Sequence, residues 1–163
     1  MEVEKYGLEK SVWTQDDFEI MGWHDASILA MQTIVNEERQ SLDFFLDIDY
    51  IFKWIYPIPP EEEYSFWIAP CTLLFEESFD LNINIETGGD ALYDLEIADI
   101  ELMSTTEKNG RIIYDWEIEL QQGRITLKSL GYKQIVRKQP IFTKSLYISM
   151  EQRGGVSFSC MPC

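Results

Sequence analysis

The one histidine of the chain, His24, stands in MGWHDASIL between Trp23 and Asp25. A neutral imidazole beside a carboxylate is the pairing that general-base chemistry or a metal site would use. Two further carboxylates, Asp47 and Asp49, sit two residues apart in LDFFLDIDYIFKWIY. On a strand that spacing puts both on one face, about 7 Å apart at the backbone. His24 with Asp25, Asp47 and Asp49 therefore defines one functional reading, a metal-binding domain or a hydrolase. Against it, neighbouring strand residues point to opposite faces, so His24 and Asp25 need not act together. No G-x-S-x-G, H-E-x-x-H, EF-hand loop or Gly-rich phosphate loop is present. The simpler reading makes Trp23, His24 and Asp25 a joint ahead of a strand, with no catalytic residue, no metal and no cofactor.

Cysteine offers little more. Cys160 and Cys163 form a C-x-x-C, but zinc needs four ligands and only Cys71 and His24 remain. A thioredoxin-type site needs a helix after its first cysteine, and the motif reads as a bare tail. The aromatic residues are more informative. Trp54, Tyr56, Tyr64 and Trp67 flank the loop PIPPEEE, which carries Glu61, Glu62 and Glu63. Aromatic anchors with a charged rim are the composition of a protein-binding surface, here one suited to a basic partner. Asp43, Asp47 and Asp49 extend the same expectation along one face of the long strand. Phe45 and Ile51 share that face and imply that something covers it in part.

The charge balance supports the same direction. The net charge is -16, with 4 Lys/Arg against 24 Asp/Glu in residues 1–101 and 9 against 5 in residues 102–163. Such a field repels nucleic acid and anionic membrane, both of which need basic groups on the protein. It would steer a cationic partner or simply keep an aromatic-rich chain soluble. The N-terminus lacks the pattern of a signal peptide, and no stretch approaches a membrane span. With three cysteines and no disulfide framework, a reducing cytoplasm is the expected compartment.

Positioning these residues requires sheets. Thr14 caps a short helix in TQDDFEIMG, with Asp16 and Asp17 in its first turn and Gly22 past its end. After Gly22 the hydrophobic period becomes two. In LDFFLDIDYIFKWIY the even residues, Leu42 to Tyr56, form one face over fifteen residues. Asn36 to Arg39 joins it to SILAMQTIV as a hairpin. Pro70 marks a bulge or break after YSFWIA. FDLNINI places Phe79, Leu81, Ile83 and Ile85 inward, Gly88-Gly89 turns the chain into LYDLEIADIEL, and Asn109-Gly110 signals a tight hairpin into IIYDWEIEL. RITLKSLGYKQIV, KSLYISM and GVSFSC follow as strands. The expected fold is a mainly β single domain over 1–163: an antiparallel β-sandwich or open barrel of about eight to ten strands with one short N-terminal helix.

The segments MGWHDASI, LDIDYIFKW, YSFWIAPCTLLFE and LEIADIE together resemble a family of small bacterial all-β proteins of unassigned function. The resemblance covers residues 13–101. Related proteins bearing W-H-D are similar to immunity proteins encoded beside secreted toxins. The resemblance implies a non-enzymatic acidic protein that neutralises a basic toxin domain, and it brings no catalytic residues. Self-association into a homo-oligomer is left open by the sequence.

Overall fold

The computed structural model describes residues 5–88 and 94–163. The described residues contain nine strands: β1 Val12–Thr14, β2 Ser27–Asn36, β3 Ser41–Ile55, β4 Ser65–Ile85, β5 Leu95–Lys108, β6 Arg111–Leu120, β7 Gly123–Ser129, β8 Gly131–Val136 and β9 Ile141–Thr143. A 3-10 helix, Gln15–Ile20, follows β1, and a helix of one turn, α1 Met150–Arg153, lies near the C-terminus. All pairings are antiparallel. One sheet runs β1-β8-β4-β3-β2, with β9 also on β4, and the other contains β5, β6 and β7.

The two sheets are joined through β4. Its first half lies between β3 and β8, and its second half, from Phe79 to Ile85, pairs with β7. Between the halves Glu77 (φ 47) and Asp80 (φ 52) adopt left-handed backbone, and the register against β7 slips after Phe79. Such bulges bend a strand and let it pass from one sheet to the next. At the other flank Ser27 and Ile28 of β2 pair with Glu96 and Leu95. The reading of FDLNINI is also corrected, the bulge accounting for Phe79 alone. Leu81 and Ile85 pack on the core, whereas Phe79 and Ile83 are exposed.

Local chemistry explains most joints. Thr14 caps the 3-10 helix through a capping box with Asp17, as its sequence requires, but the turn is tighter than an α-helix. Asn109 (φ 53) and Gly110 (φ 75) both sit at positive φ and close the β5–β6 hairpin. Gly123 admits no side chain, because a Cβ there would lie 2.0 Å from the carbonyl oxygen of Asn84. Pro70 does not break β4. Its carbonyl accepts from Arg137 N at 3.0 Å. In an antiparallel strand a residue's N–H and C=O point the same way, so the missing N–H faces the connection between β8 and β9. Gly89 and the start of LYDLEIADIEL lie outside the described residues.

Between the sheets lies one aromatic core: Trp23, Phe44, Phe75, Trp116 and Tyr132, with Leu46, Ile48, Leu73, Ile97 and Ile118. Its buried indoles are satisfied. Trp23 Nε1 donates to Gln134 Oε1 at 2.7 Å and Trp116 Nε1 to Ser129 Oγ at 3.0 Å.

The sequence expectation fails at the C-terminus. KSLYISM and GVSFSC are not strands; they form a cover of irregular chain and α1 over the outer face of the β3–β4 pair. Ile148 packs in a second cluster with Ile51, Phe66 and Ile68, and Phe158 meets Phe45 edge-on at 6.1 Å. Thr72 Oγ1 donates to the Ser159 carbonyl at 2.7 Å, and Cys163 N donates to the Val136 carbonyl at 2.9 Å. The C-x-x-C tail is therefore pinned to β8 rather than frayed, and its thiols are unpaired with each other. Phe45 and Ile51 are covered, as their character implied, but by the chain itself.

Candidate functional site

Residues 23–26 make a β-turn. Ala26 N donates to the Trp23 carbonyl at 3.0 Å, and Asp25 occupies left-handed backbone (φ 64). Aspartate tolerates that region better than most residues, which accounts for its place in the triplet. The turn is locked to β5: Asp25 N donates to the Ile97 carbonyl at 2.9 Å, and Ile97 N donates to the Ala26 carbonyl at 2.8 Å. Trp23 points into the core. His24 points out, with its side chain 69% exposed. Its Nδ1 lies 3.2 Å from the Ala98 carbonyl, and its Nε2 lies 3.6 Å from Asp25 Oδ1. Trp23 and Asp25 are thus scaffold, while His24 is available to solvent.

Asp47 and Asp49 have a different fate from the one their sequence suggested. Expected on a surface open to a partner, they are 0% and 3% exposed beneath the C-terminal cover. Asp47 accepts from Arg137 Nη2 at 2.7 Å, from Arg153 Nη2 at 2.6 Å and Nη1 at 2.9 Å, and from Ser157 N at 3.0 Å. Asp49 accepts from Arg153 Nε at 3.1 Å, and Arg153 Nη2 lies 3.0 Å from the same oxygen. Two carboxylates and two guanidiniums form a sealed network. Burial raises the Asp49 carboxyl above its usual pKa despite the attraction of Arg153. The four-residue site of His24, Asp25, Asp47 and Asp49 is not assembled: the imidazole faces solvent at the turn and the two strand carboxylates are held by arginine. Among the described residues no group of three or more His, Cys, Asp or Glu is arranged to hold a metal ion.

Asp43 and Trp67 also leave the expected surface. Asp43 Oδ1 accepts from Glu77 N at 2.9 Å and fixes the bend of β4. Trp67 is buried and packs against Phe142 and Tyr6. A register shift between Ile51 and Lys53 changes the side to which later residues of β3 point. Phe52 therefore packs toward the main core, whereas Trp54 joins the second cluster on the outer face. Strict alternation had put both on one face.

What remains is a line of rings. His24 stacks on Trp54 with centroids 6.1 Å apart and planes 26° from parallel. Trp54 meets Tyr64 edge-on at 6.1 Å, and Tyr64 meets Tyr56 at 5.2 Å. Tyr56 and Tyr64 are exposed, Trp54 half-buried. The line runs from the W-H-D turn to the loop bearing Glu61, Glu62 and Glu63, all exposed, where Lys144 lies 3.3 Å from Glu61. Near the His24 end Tyr147 donates to Glu96 at 3.0 Å. That bond, with burial and the nearby charges of Glu96, Asp94 and Asp25, holds its phenol above the ordinary pKa. Carboxylates therefore stand at both ends of an exposed aromatic strip.

Sequence reading found Trp54, Tyr56, Tyr64 and the glutamates, and missed that His24 belongs with them. The turn is thirty residues from Trp54, and only the sheet brings the two together. Arg137 and Arg153 were missed as well. Their signal was the charge asymmetry, because the basic last third supplies the counter-ions for the acidic strand. Family models, curated proteins and solved structures give no match to this chain.

Proposed function

We propose that this protein is a non-enzymatic acidic binding module whose partner presents basic groups to the strip formed by His24, Trp54, Tyr64 and Tyr56. The observation that carries the reading is the strip itself: four rings in sequence, His24, Tyr64 and Tyr56 exposed and Trp54 half-buried between them, with carboxylates at each end. Exposed rings of this kind supply rigid anchoring area, and a cationic group gains further from their faces. The excess of acid over base favours long-range attraction of the same partner. The narrower reading is an immunity protein of the bacterial cytoplasm that neutralises a basic toxin domain. The W-H-D resemblance supports it, and three free thiols suit a reducing compartment.

The test uses the toxin-like protein encoded beside this gene, or a Lys/Arg-rich peptide where no such neighbour exists. Binding is measured by stopped-flow and calorimetry. Tyr64→Ala is expected to weaken affinity by about 2 kcal/mol, roughly thirtyfold. Replacing Glu61, Glu62 and Glu63 by Gln is expected to slow association about tenfold at low salt and little at ~0.5 M salt. Association that ignores salt, or affinity untouched by Tyr64→Ala, rejects the surface.

A further inference from the structure

A second feature lies away from that strip. Between the N-terminal segment and β3 is a cavity of about 220 Å³. It is smaller than the ~300 Å³ at which sites for drug-sized ligands begin, so its scale is that of a small head group. Tyr50 and Phe52 of β3 line it together with Tyr6 and Trp13 from the opposing segment. Glu9 supplies a carboxylate to the same lining. From these contacts we infer that the cavity is a binding site for a small methylated amine, with a quaternary ammonium as the best-fitting head group.

The chemistry follows from the walls. Tyr6 packs on Phe52 at 5.6 Å and Phe52 meets Tyr50 edge-on at 4.8 Å, so three rings make one continuous wall. Trp13 donates its indole N–H to the Lys10 carbonyl at 3.0 Å, which leaves the ring face rather than the polar edge to act on a ligand. Lys10 Nζ already stands 4.8 Å from that ring's centroid while bonded to Asp17 at 2.6 Å, so a ligand cation has to use the ring area that Lys10 does not cover. Aromatic faces attract cations through their quadrupole, and the carboxylate adds a direct charge. A primary ammonium would bring three N–H groups needing acceptors. The Tyr50 hydroxyl already accepts from Gly22 N at 3.1 Å, so Glu9 would have to serve most of them. Methyl groups on nitrogen instead match the apolar walls. Glu9 lies close enough to Tyr6 to help raise its phenol pKa, burial being the larger cause, so carboxylate and ring share one locality.

Calorimetric titration of the full chain with choline chloride tests the assignment. The control is the neutral isostere in which carbon replaces the nitrogen. Choline is expected to bind, and the isostere about tenfold more weakly or worse. Trp13→Leu is expected to weaken choline binding about tenfold, and Glu9→Gln, at an exposed position, about threefold. Circular dichroism of both variants confirms that they are folded. Equal binding of choline and its isostere would reduce the cavity to an apolar pocket and overturn the inference, as would no heat from either. Sedimentation with phosphatidylcholine vesicles in the absence of any heat from free choline would overturn it in favour of a lipid surface.

Discussion

Arg153→Met is expected to cost about 3–5 kcal/mol of folding stability, read as a shifted urea midpoint. The guanidinium is fully buried and is the group that faces both Asp47 and Asp49. Removing it leaves two carboxylates under apolar chain with only Arg137 near Asp47. An unpaired buried charge loses its partner without recovering its hydration, which is why breaking such a pair costs more than never having built it. The C-terminal cover also hangs on this residue, so loss of Arg153 is expected to speed proteolysis after Lys144. The two carboxylates differ. Asp47→Asn removes the charge and turns one of the two oxygens, each accepting two of the four hydrogen bonds, into an NH2 facing donors, so it is expected to approach the cost of the arginine change. Asp49→Asn is expected to cost far less. The Asp49 carboxyl has a folded-state pKa above its unfolded one, so protonation favours the folded state. Its contribution is therefore most favourable in acid and declines as pH rises from about 4 through the raised value. In Asp49→Asn that component of the pH dependence disappears. A wild-type profile unchanged by the substitution would contradict the assignment.

The W-H-D triplet gives the second large effect, and it separates by position. Trp23→Leu is expected to destabilise by about 3–4 kcal/mol, since it empties part of the core and strips Gln134 of its indole donor. Among the described residues Gln134 Nε2 has no partner of its own, so the loss leaves that amide with both ends unsatisfied. Asp25→Val is expected to cost about 1–2 kcal/mol through its left-handed backbone, and Asp25→Gly close to nothing. His24→Ala is expected to stay within about 0.5 kcal/mol of the parent in stability while weakening partner binding. Thermal and urea unfolding of the four variants, set beside binding, distinguishes a scaffold triplet from a triplet that works as one unit. A destabilised His24→Ala would join the imidazole to the scaffold.

Much of the architecture was readable because it rests on local rules. The alternation of LDFFLDIDY, the Asn109-Gly110 turn and the Thr14 cap each specify one conformation from a few neighbouring residues. Errors arose where long-range packing overrode them. A single extra residue near Phe52 sent Trp54 to the other face, and period-two reading has no means of seeing a bulge. Asp47 and Asp49 looked solvated because their partners are about ninety and a hundred residues away. The site was legible in Trp54, the two tyrosines and the glutamates, but not in His24. The adjacency of His24 to Trp54 exists only once β2 and β3 are paired and the turn is tied to Ile97.

The shared strand β4 has a kinetic meaning as well as a geometric one. Its amides connect to β3, β8, β9 and β7, so neither layer can melt along a seam without tearing the other. Fraying is left to the hairpin tips, and amide protons in the stretch from Cys71 to Phe75 should be the last to exchange, through whole-molecule opening alone. Closing β1 onto β8, with Val12 opposite Ile135, also joins distant parts of the polymer. Such non-local closure places the molecule among slow folders, on the scale of milliseconds to seconds.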